Sequence, residues 1–221
     1  MKALIYKDFL LSRKTLWLAI IFVLFWGTVG PLIQNNIIGG IIYIYLVFFL
    51  SYYCGIVIFG YDEKAKSDVL INSLPVNRKN VVISRYIFLL WYPIMLSLII
   101  YGYSRFINTT FLREISQGRV FSSLEVLFTI IVVTLFMSIY LPFTYLSIGK
   151  VKAFNQIFYL VLLFLPWVAT QLLRTQISKD VITKLQSINT MGIGVGVFIS
   201  TITIYIISLF ISIRLYERKD F

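Results

Sequence analysis

Six long apolar stretches, separated by short polar segments, run along the chain. Each is close to the ~20 residues that a helix needs to cross ~30 Å of bilayer hydrocarbon. Because a spanning helix satisfies its backbone hydrogen bonds internally, the pattern predicts an all-α polytopic membrane protein with one transmembrane domain over residues 1–221. The predicted spans cover about 15–33, 37–59, 86–103, 126–148, 154–173 and 192–213.

Gly60–Arg85 is a long charge-dense segment between the second and third spans. Its acidic pair 62–63 favours a helix N-terminus, and apolar positions within 69–74 fall at turn spacing. Pro75 ends this short helix, because proline disfavours the α conformation of the residue before it. Asn77 can then cap the next helix by accepting a hydrogen bond from a free backbone N–H. The segment therefore predicts a helix, a sharp turn and a new helix.

The positive charge lies where membrane topology requires it. Charged residues make up 13% of the chain, against about 25% in soluble domains, and the net charge is +11. Fourteen of the 20 Lys and Arg residues fall in the N-terminus, in 60–85, in 149–153 and in the tail. This asymmetry predicts that both termini and the 60–85 segment are cytoplasmic. Short basic segments beside apolar runs argue against a nucleic-acid surface and for contact with membrane lipid.

Two shorter segments also carry helical patterns. Residues 1–14 predict either an interfacial helix along the cytoplasmic surface or a simple basic flank that fixes topology. Residues 178–188, between the fifth and sixth spans, predict a short amphipathic outer helix, with an irregular loop as the alternative.

Catalytic and metal-binding patterns are missing from the sequence. There is no histidine and one cysteine, Cys54, so a zinc site and a histidine-assisted nucleophile are not expected. No predicted span contains an ionisable side chain of the kind that ion-coupled carriers bury. The sequence has no phosphate-binding loop, so we expect no enzyme activity and no cofactor bound by this chain. Its apolar, aromatic interior suits an amphipathic or lipid-like cargo.

Two motifs carry a resemblance to a known family. The run Leu74–Lys79 (LPVNRK) follows an acidic pair and precedes the basic residue Arg85 that enters the third span. The N-terminal run Tyr6–Phe9 (YKDF) precedes a basic cluster and the first span. In these positions both resemble the ABC-2 type transporter permeases. The small size is similar to peptide-export permeases of Gram-positive bacteria, among them the exporter of staphylococcal phenol-soluble modulins.

The resemblance implies a bacterial cytoplasmic membrane protein that pairs with a second permease, as a homodimer or heterodimer. It also implies two cytosolic ATP-binding subunits, which would hold ATP and Mg. The segment between spans two and three would form a coupling helix in a cleft of the ATPase. The residues that would lie at this contact are Glu63, Lys64, Asp68, Leu70, Leu74, Pro75, Arg78 and Lys79.

Three functions are therefore compared. The first is the membrane subunit of an ATP-driven exporter of amphipathic peptides or lipid-like molecules. The second is a membrane immunity or sensor protein that transports nothing, whose basic segment only fixes topology. The third is a membrane-embedded enzyme, against which the missing histidine and intramembrane acids already count.

Overall fold

The computed structural model describes residues 2–29, 36–64, 77–110, 121–146, 154–162, 164 and 190–218. Within these ranges the regular structure is helical, which confirms the predicted all-α class. The helices are α1 (Lys2–Leu11), α2 (Arg13–Val29), α3 (Asn36–Lys64), α4 (Arg78–Thr110), α5 (Ser123–Leu146) and α6 (Thr190–Glu217), with a further helical stretch at 154–162.

Four helices, α3 to α6, are each long and apolar enough to cross a membrane. Helices α1 and α2 pass the same test only as a pair bent by 58°, which would make a fifth span. A polytopic membrane protein is thus confirmed, while the number of six spans stays a prediction. The predicted fifth span is described only at 154–162 and 164, and the predicted outer helix at 178–188 lies outside the described residues.

The ends of the helices differ from the predicted spans. Helix α4 covers Arg78–Thr110, 33 residues, and so extends beyond the predicted span 86–103 at both ends. Its start is as predicted, because the Lys79 backbone N–H donates to the Asn77 side-chain oxygen at 3.0 Å. The predicted helix start at residues 62–63 is wrong. Helix α3 continues through them to Lys64, since residues 61–64 contain no proline or glycine to interrupt it.

A sharp elbow separates α1 from α2 at Ser12. The Ser12 hydroxyl, which is buried, donates to the Phe9 carbonyl at 2.9 Å. The Thr15 hydroxyl donates to the Ser12 carbonyl at 2.6 Å, so side chains satisfy backbone groups around the bend. The 58° turn directs α1 away from the axis of α2. A helix at the N-terminus is therefore confirmed, and its position on the membrane surface stays a prediction.

Aromatic rings fill the space between α3, α5 and the 154–162 stretch. Phe136 stacks on Phe158 with ring centroids 4.7 Å apart, and Phe48 packs against Phe136 at 4.8 Å. The Tyr52 hydroxyl donates to the Asn155 side-chain oxygen at 3.1 Å, which gives the buried ring a polar partner. Such offset and edge contacts add to the energy of close packing, which is what holds helices together in lipid.

Hydroxyl groups join α4, α5 and α6. The Tyr86 hydroxyl lies 2.8 Å from the Ser208 oxygen and 2.6 Å from the Ser212 oxygen. Ser208 in turn donates to the Ser138 carbonyl at 2.6 Å, and the Tyr205 hydroxyl donates to the Tyr86 carbonyl at 2.8 Å. We call Tyr86, Ser208 and Ser212 the hydroxyl clamp. It fixes α6 against α4 by hydrogen bonds in the buried interior of the bundle.

Candidate functional site

Four charged side chains meet at one end of the helix bundle. The Lys7 ammonium donates to Asp62 Oδ1 at 2.9 Å, and Arg85 Nη2 donates to Asp62 Oδ2. The same Arg85 nitrogen lies 3.1 Å from Asp8 Oδ1. We call Lys7, Asp8, Asp62 and Arg85 the ion network. It holds two positive and two negative groups, so its charges balance within one small volume.

The centre of the ion network is sealed from solvent. Asp8 is 1% exposed and Arg85 is 4% exposed. The Phe59 ring covers one face of the guanidinium, with its centroid 4.9 Å from Arg85 Cζ. Burial raises the pKa of the Asp8 carboxyl above its usual range, and the nearby charges of Arg85 and Lys7 offset this effect only in part. Removing one partner would thus leave a buried charge without compensation.

Three helices contribute to the ion network. Lys7 and Asp8 come from α1, Asp62 from the last turn of α3, and Arg85 from the second turn of α4. Helices α3 and α4 are the two that flank residues 65–76, the middle of the predicted coupling segment. The ion network therefore connects the N-terminal helix to both sides of that segment.

The end of α6 meets the start of α4 at the same end of the bundle. Arg78 Nη1 donates to the Glu217 backbone carbonyl at 3.1 Å. Lys79 Nζ lies 4.0 Å from Glu217 Oε1, and its side chain is 57% exposed. The last carbonyls of a helix have no partner within the helix and attract cations. Arg78 and Lys79 thus hold the final turn of α6 beside the first turn of α4.

The predicted coupling residues fall into two groups that border residues 65–76. Glu63 and Lys64 are exposed in the last turn of α3. Arg78 and Lys79 begin α4 and contact Glu217. The other four predicted residues, Asp68, Leu70, Leu74 and Pro75, lie outside the described residues. The role of all eight at an ATPase contact stays a prediction.

The predicted spans contain no Asp, Glu, Lys or Arg, but buried charged side chains lie just beyond two of them. Asp62 and Arg85 lie just outside the predicted spans 37–59 and 86–103, but both helices continue past those bounds and pack there. Arg85 is buried because α1 covers it with the carboxylate of Asp8. One signal was present in the sequence: Asp8 is the only acidic residue before Asp62, within an otherwise basic terminus.

Comparison with known protein families decides the class of this helix bundle. A family model described as ABC-2 family transporter protein matches residues 3–217, almost the whole chain. The chain belongs to the ABC-2 transporter family. No curated protein and no solved structure matches it.

Membership of the ABC-2 family confirms the resemblance seen in the YKDF and LPVNRK runs. It makes the protein a membrane permease, the transport component of an ABC transporter that works with ATP-binding subunits. In this permease the match includes α1 through α6, so it also includes every helix that contributes to the ion network.

Proposed function

We propose that this permease is the membrane subunit of an ATP-driven exporter, with both termini in the cytoplasm and ATP hydrolysed by a separate cytosolic subunit. The family supports the ATP-binding partner. The excess of basic residues in the N-terminus, in 60–85 and in the tail supports the orientation. In this orientation the ion network faces the side from which the ATPase acts.

The observation that carries the proposal is the connection of Arg85 to both Asp8 and Asp62. A push on the segment 65–76 reaches α3 and α4 first, because these helices flank it. Separating buried, paired charges is costly, so α1 follows the ends of α3 and α4. The ion network thereby converts movement of one loop into movement of three helices.

The contact of Arg78 and Lys79 with Glu217 extends this connection to α6. Unlike the ion network, this contact is exposed, and its charged pair, Lys79 Nζ and Glu217 Oε1, is 4.0 Å apart. It therefore contributes about 1 kcal/mol or less. We propose that docking of the ATPase competes for Arg78 and Lys79 and releases the end of α6. Helix α6 is also the least enclosed of the four spanning helices, with 22% of its apolar window buried against 50–56% in α3, α4 and α5.

We propose an amphipathic peptide or a lipid-like molecule as the cargo, and a second permease as the partner of this one. The exposed apolar face of α6, which includes Ile199, Ile207 and Phe210, supports a partner or lipid in that position. The phenol-soluble modulin class of helical peptides is proposed because of the small size of the permease and its apolar, aromatic composition.

The test is affinity purification of the permease from its native membrane in mild detergent. We expect a cytosolic ATPase to be recovered in stoichiometric amount. The triple variant Glu63→Ala, Arg78→Ala, Lys79→Ala should insert normally but recover much less ATPase. Arg105→Ala is the matched control, because it removes a charge from the opposite end of α4.

Two results would count against the proposal. Full ATPase recovery by the triple variant would show that these residues do not form the coupling contact. Recovery of the permease alone, in several detergents, would favour the immunity or sensor function.

A further inference from the structure

A groove of about 370 Å³ lies between α2 and α3, beside the elbow. Its walls are apolar side chains, among them Leu18, Ile56 and Val57. Lys14, from the first turn of α2, and Lys64, from the last turn of α3, also line it. Its volume falls within the ~300–1,000 Å³ typical of small-molecule sites. The groove therefore combines an apolar wall with two positive charges.

The two lysines carry charge that the described part of the chain does not neutralise. Lys14 and Lys64 are both exposed, and neither forms an ion pair with a carboxylate among the described residues. Lys7 and Lys79, at the same end of the bundle, each have a carboxylate within 4.0 Å. The groove thus presents two available ammonium groups toward whatever occupies it.

The residues that line the groove are typical of the membrane level at which water meets hydrocarbon. Tyr53 and Tyr61 line it and are 38% and 41% exposed. Tyrosine rings are enriched at this level of a membrane, because one end is apolar and the other is wet. Lys14 and Lys64 stand at the ends of the apolar runs of α2 and α3, where lysine side chains reach the head-group region.

We propose that this groove binds an anionic phospholipid from the leaflet on the side of α1. Its phosphate lies between Lys14 and Lys64, and one acyl chain follows Leu18, Ile56 and Val57. Charge complementarity favours this occupant, since a zwitterionic lipid brings its own cation to the lysines. A free phosphate would leave the apolar wall uncovered. The site does not depend on the direction of transport.

The first experiment compares lipids retained by the purified permease. Protein in mild detergent is offered equal amounts of phosphatidylglycerol and phosphatidylcholine, and bound lipid is counted by native mass spectrometry. We expect phosphatidylglycerol to be preferred. The variant Lys14→Gln, Lys64→Gln should lose this preference about 30-fold, which is what two lysines contribute at an anionic surface. Lys2→Gln, Arg218→Gln removes the same charge elsewhere and should keep it.

A second variant tests the groove without changing charge. Gly60 lines the groove and a Cβ added there meets nothing within 4 Å, so Gly60→Leu adds apolar bulk at the groove wall with no clash at its Cβ. We expect this variant to retain less phosphatidylglycerol. Gly102→Leu is the matched control, because Gly102 also has open space around it but lies in α4, away from the groove.

Several outcomes would overturn the lipid site. One is an unchanged preference in both groove variants. Another is an equal loss in the Lys2, Arg218 control, which would make the effect one of general surface charge. Displacement of the lipid by millimolar inorganic phosphate would assign the lysines to a free anion. A second copy of the chain retained in place of lipid would make the groove a subunit interface.

Discussion

Arg85 Nη2 lies 3.1 Å from the carboxylate of Asp8. The same nitrogen binds Asp62, so both acids meet one corner of the guanidinium. Arg85 Nε and Nη1 are buried and have no hydrogen-bond partner among the described residues. Arg85 therefore pairs with both acids through one nitrogen and does not use the two-nitrogen, bidentate geometry of a guanidinium.

This geometry predicts an unusual order of tolerance at position 85. Arg85→Gln removes the buried cation nearest Asp8 and leaves Lys7 as the remaining partner of Asp62, which should lower the free energy of unfolding by about 3–5 kcal/mol. Arg85→Lys keeps a single charged nitrogen and should lose less than half as much. Thermal inactivation in detergent, followed by size-exclusion chromatography, measures both.

Arg105→Gln serves as the control for Arg85→Gln. Arg105 is exposed and only stacks on Tyr101 at 4.7 Å, so its loss should cost about 1 kcal/mol or less. If Arg85→Lys were as damaging as Arg85→Gln, the planar shape of the guanidinium would matter after all.

The two acids of the ion network should differ in their response to neutralisation. Asp62 accepts from both Lys7 and Arg85, whereas burial raises the pKa of Asp8, so the site stabilises the charge of Asp8 less than water does. Asp62→Asn should therefore destabilise the permease more than Asp8→Asn, because Asp8→Asn leaves Arg85 paired with Asp62. Melting temperatures of the two variants in the same detergent test this order.

The raised pKa of Asp8 also gives a dependence on pH. Because the native pKa lies above the ordinary value of 3.8, the folded protein takes up this proton before the unfolded chain does. The wild type should gain stability relative to Asp8→Asn as the pH falls from neutral toward 3.8. A difference in melting temperature that stays constant from pH 7 to pH 4 would contradict the assignment.

Gly27 should not tolerate a side chain. A Cβ added there would lie 2.8 Å from Tyr103 Cε1 and closer still to Cδ1, so the ring of α4 occupies its space. Gly27→Ala should destabilise by about 1–3 kcal/mol through overpacking. Gly102→Ala has open space and should be neutral or slightly stabilising, since alanine favours a helix. Equal melting temperatures for the two variants would mean that the Tyr103 ring moves aside freely.

The Tyr86 hydroxyl should contribute measurably to the packing of α6. Tyr86→Phe leaves Ser212 without this partner, while Ser208 keeps its bond to the Ser138 carbonyl. Inter-helix hydrogen bonds in membrane proteins contribute about 0.6–1.7 kcal/mol, and we expect a loss in that range. Tyr6→Phe, at a ring 63% exposed, should change nothing. Unfolding in graded denaturing detergent compares the two.

The sequence predicted the positions of the helices better than it predicted which helices pack together. Apolar runs place α3 to α6, and Asn77 marks the start of α4, because both signals are local. The ion network was missed because pairing Asp8 with Arg85 depends on which helices pack together, which no local pattern encodes. The boundary between the N-terminal segment and the first span was predicted between residues 14 and 15, and the structure places it at Ser12, where a buried hydroxyl bonds to the backbone.

The predicted coupling residues show where local reasoning reaches its limit. Arg78 and Lys79 are predicted to lie at the ATPase contact because they end the LPVNRK run. Their neighbour Glu217 lies near the other end of the chain, so only the folded protein reveals that contact. Charged residues that lie outside the predicted spans can thus also bind the end of another helix.

The hydroxyl clamp restricts how α6 can travel. Ser208 and Ser212 are four residues, ~6 Å, apart along the helix axis, and Tyr86 contacts both at once. A piston-like slide of α6 along its axis would pull both serines off the ring, whereas a swing about Tyr86 would keep them. A swing about this ring would move the two ends of α6 in opposite directions. Release of Glu217 at one end would then displace Thr190 at the other.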